Sequence, residues 1–185
     1  MNFFKFNKIL LILFCLQIFN VGTSFSSNNY FAVRNLDPVL VNGKKYLFFP
    51  INVVGHQYLN SQDFEKGSVV INGIQYDSLM LNLDIYNQQL VLRFTNLQGA
   101  TQVLSMSNAW VTKFSIGKDN FEFKSMEDGT KRIFQVIGSG NIKILYSWSK
   151  TMKLNPSSGK YDFSRPQKKS FLLIDSELKA FKRNR

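Results

Sequence analysis

The 185-residue chain contains one cysteine, one histidine and four prolines, and each scarcity excludes something. Cys15 lies in an N-terminal apolar run, so the chain beyond it has no thiol, and disulfides, thiolate nucleophiles and thiolate metal sites are excluded there. With His56 alone, a metal site built from several imidazoles is excluded too. A hydrolase triad would have to be assembled around that single ring, which sits in Gly55-His56-Gln57-Tyr58 with no G-x-S-x-G motif beside it. His56 is therefore expected in a turn or at the surface. No apolar run reaches the roughly 20 residues of a membrane-spanning helix, and no dozen-residue stretch sustains a 3.6-residue apolar period, so helical bundles and coiled coils are excluded as well. With 44% hydrophobic and 19% charged residues, the chain is equally far from a disordered polyelectrolyte. Acids are few, 12 against 23 lysines and arginines, for a formal charge of +11.

The N-terminus carries Lys5 and Lys8 and no acid, followed by the apolar run Ile9 to Phe19 and then by Gly22-Thr23-Ser24-Phe25-Ser26-Ser27. This is the layout of a cleavable secretory signal peptide, with cleavage expected after Ser24 or Ser26. Lipidation of Cys15 would require a small residue before it, and Phe14 stands there. The expected organisation is a signal peptide over 1–26 and one exported domain over 27–185. Its location would be the periplasm, the outer-membrane surface or the medium. A domain of this size buries about 70% of its unfolded-state surface, enough to fold without disulfides.

The rest of the chain reads as β. Apolar residues recur with period two, and turn-forming pairs punctuate them. Asn72-Gly73, between Ser68–Ile71 and Ile74–Asp77, predicts a two-residue type I′ hairpin, and Asn42-Gly43 is placed in the same way between Val39–Val41 and Lys45–Phe48. Between Tyr76 and Leu79 the apolar parity switches, which predicts a bulge near Asp77-Ser78. Leu90, Leu92 and Phe94 share one face, as do Trp110, Phe114 and Ile116, and so do Ile142, Ile144, Tyr146 and Trp148. Asn155-Pro156-Ser157-Ser158-Gly159 predicts an exposed hairpin connection. Asp175 to Phe181 predicts a short C-terminal helical turn. The expected fold is all-β: one domain of about ten antiparallel strands in a curved meander or partly closed barrel, because an open flat sheet would leave too much apolar face uncovered.

The segment Tyr58-Leu59-Asn60, Phe64, Gly67, Gly73, Tyr76, Leu81-Asn82-Leu83-Asp84-Ile85-Tyr86 and Leu90 resembles a pattern recurrent in uncharacterised exported proteins of Gram-negative bacteria. The resemblance implies an exported β-domain. It supplies no activity and no catalytic residue.

No constellation for chemistry emerges from the remaining residues. Glycosidase chemistry needs two carboxyl groups held roughly 5–10 Å apart across a sugar. Only Asp77, Asp84 and Glu122 fall within expected strands, and Asp84 reads as a solvent-face residue of a hairpin. The calcium loop D-x-[DN]-x-[DN]-G is absent, and Met126-Glu127-Asp128-Gly129 reads as a hairpin turn. Gly138-Ser139-Gly140-Asn141 lacks the strand-to-helix setting and the lysine of a phosphate loop. No catalytic residue, metal site or cofactor is therefore expected.

Charge is the feature that remains. Residues 28–130 hold eight basic and nine acidic residues, whereas 131–185 hold thirteen basic and three acidic. The expected binding residues are Lys150, Lys153, Lys160, Arg165, Lys168, Lys169, Lys179, Lys182 and Arg183. They would engage a protein partner or an anionic lipid or polysaccharide of the envelope, nucleic acid being a less accessible partner after export. The leading expectation is thus a non-enzymatic envelope binding protein. A lipocalin-like carrier with a cavity beside Tyr146 and Trp148, an enzyme acting on envelope polysaccharide through carboxylates such as Asp84, and an outer-membrane barrel are the alternatives, the last ill matched to short strands and a polar end.

Overall fold

A computed structural model of the chain describes residues 37–49, 52–126, 128–175 and 177–181; the expected signal peptide, Lys182 and Arg183 lie outside them. In chain order these residues form a helical turn α1 (Pro38–Val41) and the strands β1 (Lys44–Lys45), β2 (Val53–Val54), β3 (Glu65–Ile71), β4 (Ile74–Asp84), β5 (Gln89–Thr95), β6 (Thr101–Ser105), β7 (Val111–Ile116), β8 (Asp119–Ser125), β9 (Lys131–Ile137), β10 (Ile142–Ser149), β11 (Met152–Asn155), β12 (Lys160–Phe163), β13 (Gln167–Ile174) and β14 (Glu177–Ala180). Eleven strands make one sheet in the order β1-β6-β5-β4-β3-β7-β8-β9-β10-β13-β14, and β11-β12-β2 make a second, small one. The large sheet is antiparallel and not closed, so the protein is all-β as its alternation requires.

Local chemistry explains the first hairpin. Asn72 and Gly73 have φ of 50° and 83°, the pair of positive angles a type I′ turn demands. Gly67 pairs with Leu79 and Val69 with Tyr76, so Asp77 and Ser78 together face Ser68. That is the bulge expected from the parity switch, and Ser78 takes a φ of 58° to make it.

Elsewhere the structure corrects the reading. Asn42-Gly43 is no hairpin: Pro38 starts α1, Asp37 caps it by accepting from Val39 N at 2.9 Å, and β1 pairs with β6 instead. Val111, not Trp110, joins the core, because Val70 pairs with Lys113 and Ile71 with Val111, leaving Thr112 as an extra residue that flips the parity. The expected C-terminal helical turn is strand β14. A single unpacked turn of helix is marginal in water, whereas Glu177–Ala180 gains a ladder with β13 and places Leu178 against a buried cluster. In β10, Ile142 and Ile144 are 61% and 42% exposed while Leu145, of the opposite parity, is fully buried.

The connection from β6 to β7 shows how strongly the sheet curls. These strands stand four places apart in the sheet, about 19 Å on the flat at about 4.8 Å per strand. Residues 106–110 join them, and part of that link is a turn in which Trp110 N bonds Ser107 O. Five residues with a turn among them fall short of 19 Å, so β6 to β3 must roll toward β7. On the far side of the roll, Gln88 Nε2 in the β4–β5 turn donates to Trp148 O at the end of β10. The rolled face holds the main core, with Val69, Leu81, Leu83, Leu90, Leu92, Phe114, Phe121 and Phe123, and the Phe114 and Phe121 rings stack at 4.9 Å. Apolar residues of the opposite parity on β9, β10 and β13 bury a separate cluster of Phe134, Leu145 and Leu173.

Candidate functional site

Asp84 is fully buried, not on the solvent face. It ends β4 and opens the turn to β5, where its Oδ1 accepts from the backbone of Tyr86 at 2.9 Å and of Asn87 at 2.8 Å. Its Oδ2 accepts from Tyr46 Oη at 2.7 Å and Asn87 Nδ2 at 2.8 Å. Gln57 Nε2 in turn donates to Tyr46 Oη at 2.8 Å. The segment around Tyr58 covers the carboxylate by continuing the ladder on β4: Leu59 N bonds Leu83 O, and Ile85 N bonds Gln57 O. Burial pushes the Tyr46 phenol far above the usual tyrosine range, with Gln57 opposing and Asp84 adding to the rise, and burial likewise raises Tyr58. The Tyr58 hydroxyl itself is buried with no hydrogen-bond partner among the described residues.

Lys150 belongs to this network, not to a binding surface. It is buried, and its Nζ donates to His56 O and Tyr58 O, both at 2.7 Å. Burial lowers its pKa, with the charge of Asp84 pulling the other way. His56, in the link before Tyr58, is half-buried and has its Nδ1 at 3.4 Å from the same amino group. Burial and then Lys150 hold it below its usual pKa. Together with Gln88, Lys150 fastens the end of β10 to the turn side of β4. A carboxylate whose acceptor positions are filled and covered has no reach to a substrate, so the arrangement is a clasp.

The other expected binding residues divide by place. Thr151 N bonds Ser164 Oγ and Ser164 N bonds Thr151 O, so β10-β11 and β12-β13 form one long hairpin interrupted at 150–151 and 164–166. Its outer part is an arm, β11–β12, closed by the turn 156–159 in which Gly159 N bonds Asn155 O. Lys153 and Lys160 lie on the arm and Arg165, Lys168 and Lys169 at its base, all exposed. Lys168 Nζ sits 4.2 Å over the Tyr146 ring and 5.5 Å over that of Trp148. From 150 to 170 the one acid is Asp162, which accepts from Asn155 Nδ2 at 2.9 Å. Lys179 stands apart: it pairs across to Leu172, four residues along β13 from Lys168, about 13 Å at strand rise, and it bonds Glu177 at 3.0 Å.

The arm is held at its root by three aromatic rings. Phe163 packs edge-to-face on Phe49 at 5.2 Å and on Tyr86 at 5.3 Å, and those two rings pack on each other at 5.4 Å. Farther out, Leu154 and Tyr161 are direct cross-strand partners and remain 54% and 46% exposed. Alternation puts them on the face opposite Lys153, Asn155, Lys160 and Asp162. The loop signal at Asn155–Gly159 was readable in the sequence; the exposed Leu154–Tyr161 pair was not, because alternating apolar residues in a strand read as core.

The remaining candidates stay separate. Glu122 lies between Lys124 at 2.8 Å and Lys143 at 3.6 Å, whose charges outweigh the effect of burial and hold its pKa below the usual range. Asp77 is exposed on the β4 bulge beside Gln75. Trp148 packs against the main core and donates from Nε1 to Gln135 Oε1 at 2.7 Å. A groove of about 350 Å³ runs along Lys113, Glu122 and Lys143, and another of about 490 Å³ along Pro38, Val39 and Trp110; neither is lined by Asp84, Tyr146 or Trp148. Among the described residues no group of three or more His, Cys, Asp and Glu is placed to hold a metal ion, and no helix is long and apolar enough to cross a membrane. No family model, curated protein or solved structure matches the chain.

Proposed function

We propose that this is a non-enzymatic, exported envelope protein that binds an anionic ligand through the β11–β12 arm and its base. The observation that carries the reading is the cluster of exposed cations Lys153, Lys160, Arg165, Lys168 and Lys169 at one end of the long β10–β13 hairpin, where Asp162 is the one acid. Such a cluster attracts an anionic surface at low ionic strength and loses it as salt is added. The export expected from the N-terminus puts envelope lipid headgroups and acidic polysaccharide within its reach. Lys150 and Lys179 are left out of the binding set, the first because it is buried in the clasp and the second because it is paired with Glu177.

The test is retention of the purified protein on native envelope membranes at low and at high salt. Wild type should be retained at low salt and released at high salt, and the combined variant Lys160→Glu, Arg165→Glu, Lys168→Glu, Lys169→Glu should be released at both. Retention of that variant at wild-type level would refute the proposal. Lys179→Glu serves as a control of equal charge change per site and should release little protein.

A further inference from the structure

We infer that the β11–β12 arm is a bilayer-inserting element, with Leu154 and Tyr161 entering the interfacial layer of an anionic membrane while the surrounding cations hold the headgroups. The inference rests on the proposed anion binding and names its ligand as lipid. A soluble polyanion would be served by the cations alone. It gives no account of an apolar cross-strand pair left roughly half exposed on the outer part of the hairpin.

Three features of the arm fit a bilayer. Its two faces differ: Leu154 and Tyr161 lie on one, and Lys153, Asn155, Lys160 and Asp162 on the other, with Val54 of β2 beside Asp162. A two-sided ribbon of this sort lies in the plane of an interface with its apolar face down, and lysine stems are long enough to carry their charge back to the headgroups. Tyrosine suits that depth, because its ring is apolar and its hydroxyl is wet. The arm also has a firm root. Phe163 is locked between Phe49 and Tyr86, and Val53 of β2 runs beside Tyr161, so the exposed pair is presented by a braced ribbon. The cations at the base, Arg165, Lys168 and Lys169, supply the charge complementarity that selects an anionic bilayer over a neutral one.

The experiment uses protein beginning at residue 27, sedimented with vesicles of phosphatidylcholine alone or of phosphatidylcholine and phosphatidylglycerol in equal parts. Wild type should sediment with the anionic vesicles and not with the neutral ones. Leu154→Ser with Tyr161→Ser should weaken that binding about tenfold or more, as expected when two apolar side chains no longer enter the interface, with a thermal transition lowered by only a few degrees because both residues are about half exposed. Tyr161→Trp should gain fluorescence that brominated acyl chains quench only in the anionic vesicles. If the double serine variant binds like wild type, or the introduced tryptophan is not quenched, insertion is overturned while the charge reading stands. If the four-site charge reversal binds like wild type, the proposed function falls and insertion falls with it. If wild type ignores both vesicles yet shows salt-sensitive retention on native envelope membranes, the ligand is a non-lipid anion and the insertion is refuted alone.

Discussion

Replacing Asp84 with alanine tests whether the clasp holds the rolled sheet together. The carboxylate accepts four hydrogen bonds between 2.7 and 2.9 Å. Their loss does not count equally. Asn87 is exposed and its side-chain amide rehydrates. The backbone amides of Tyr86 and Asn87 are part-buried and recover some water. The Tyr46 hydroxyl is buried, already accepts from Gln57, and would lose the carboxylate acceptor it has in Asp84. An orphaned buried donor costs about 1–3 kcal/mol and each weakened backbone bond about 1 kcal/mol. Lys150 would also lose the attraction of the Asp84 charge. Removal of a buried charge from a satisfied network costs about 3–5 kcal/mol in total, which in a domain of this size lowers Tm by roughly 10 °C. Asp84→Asn keeps an acceptor for the two backbone amides and should cost less, about 1–2 kcal/mol. Urea unfolding followed by circular dichroism measures both. An Asp84→Ala cost below about 1 kcal/mol would refute the clasp, since the hydrogen bonds would then be replaced at no loss, and so would an Asp84→Asn cost equal to that of alanine, since a retained acceptor would then make no difference.

Three further outcomes follow from the same structure. Lys150→Met keeps the volume but strips two backbone carbonyls of their charged donor, so it should destabilise the protein by about 2–3 kcal/mol in urea titrations without reducing salt-sensitive retention on envelope membranes. Gly67→Ala forces a methyl group against the backbone oxygen of Ser115 on β7 and should cost about 3 kcal/mol; Gly73→Ala meets open space at a φ of 83° and should cost the smaller conformational penalty of about 1–2 kcal/mol, an order that differential scanning calorimetry would show or contradict. Burial holds the Tyr46 and Tyr58 phenols protonated in the folded state, whereas the unfolded chain gives up those protons near pH 10. The stabilisation this brings is complete below about pH 10 and lost progressively above it, so urea midpoints should fall on the alkaline side, and less steeply in Tyr46→Phe; equal slopes would contradict the assignment.

Much of the fold was legible because it depends on neighbours in sequence. The positive φ angles at Asn72-Gly73 are a property of those two residues, and the bulge at Asp77-Ser78 was written in the parity of Tyr76 and Leu79. Where alternation misled, a non-local fact decided. The parity of Ile142 to Trp148 is regular, yet the core covers only the Trp148 end of that face, and Leu145 on the other face is sealed by Phe134, Phe171 and Leu178. A four-residue C-terminal segment became a strand because β13 offered it an unpaired edge. Asp84 carried one overlooked local signal, an acid followed by a tight turn whose amides it caps, but its burial comes from Tyr46 and Gln57, which are 38 and 27 positions away along the chain.

The sequence by itself determined that no thiol lies beyond Cys15, the β architecture, the main turns and the concentration of positive charge in the last third. Those follow from residue types and from periods of two, which act at short range. Only the tertiary structure decided what each charge does. Lys150 and Lys153 are three residues apart in the same basic stretch, yet rolling of the sheet carries one under the Tyr58 segment to close the fold and leaves the other on an arm in water. Burial converts a surface cation into a clasp, and one-dimensional charge counting has no means of seeing burial.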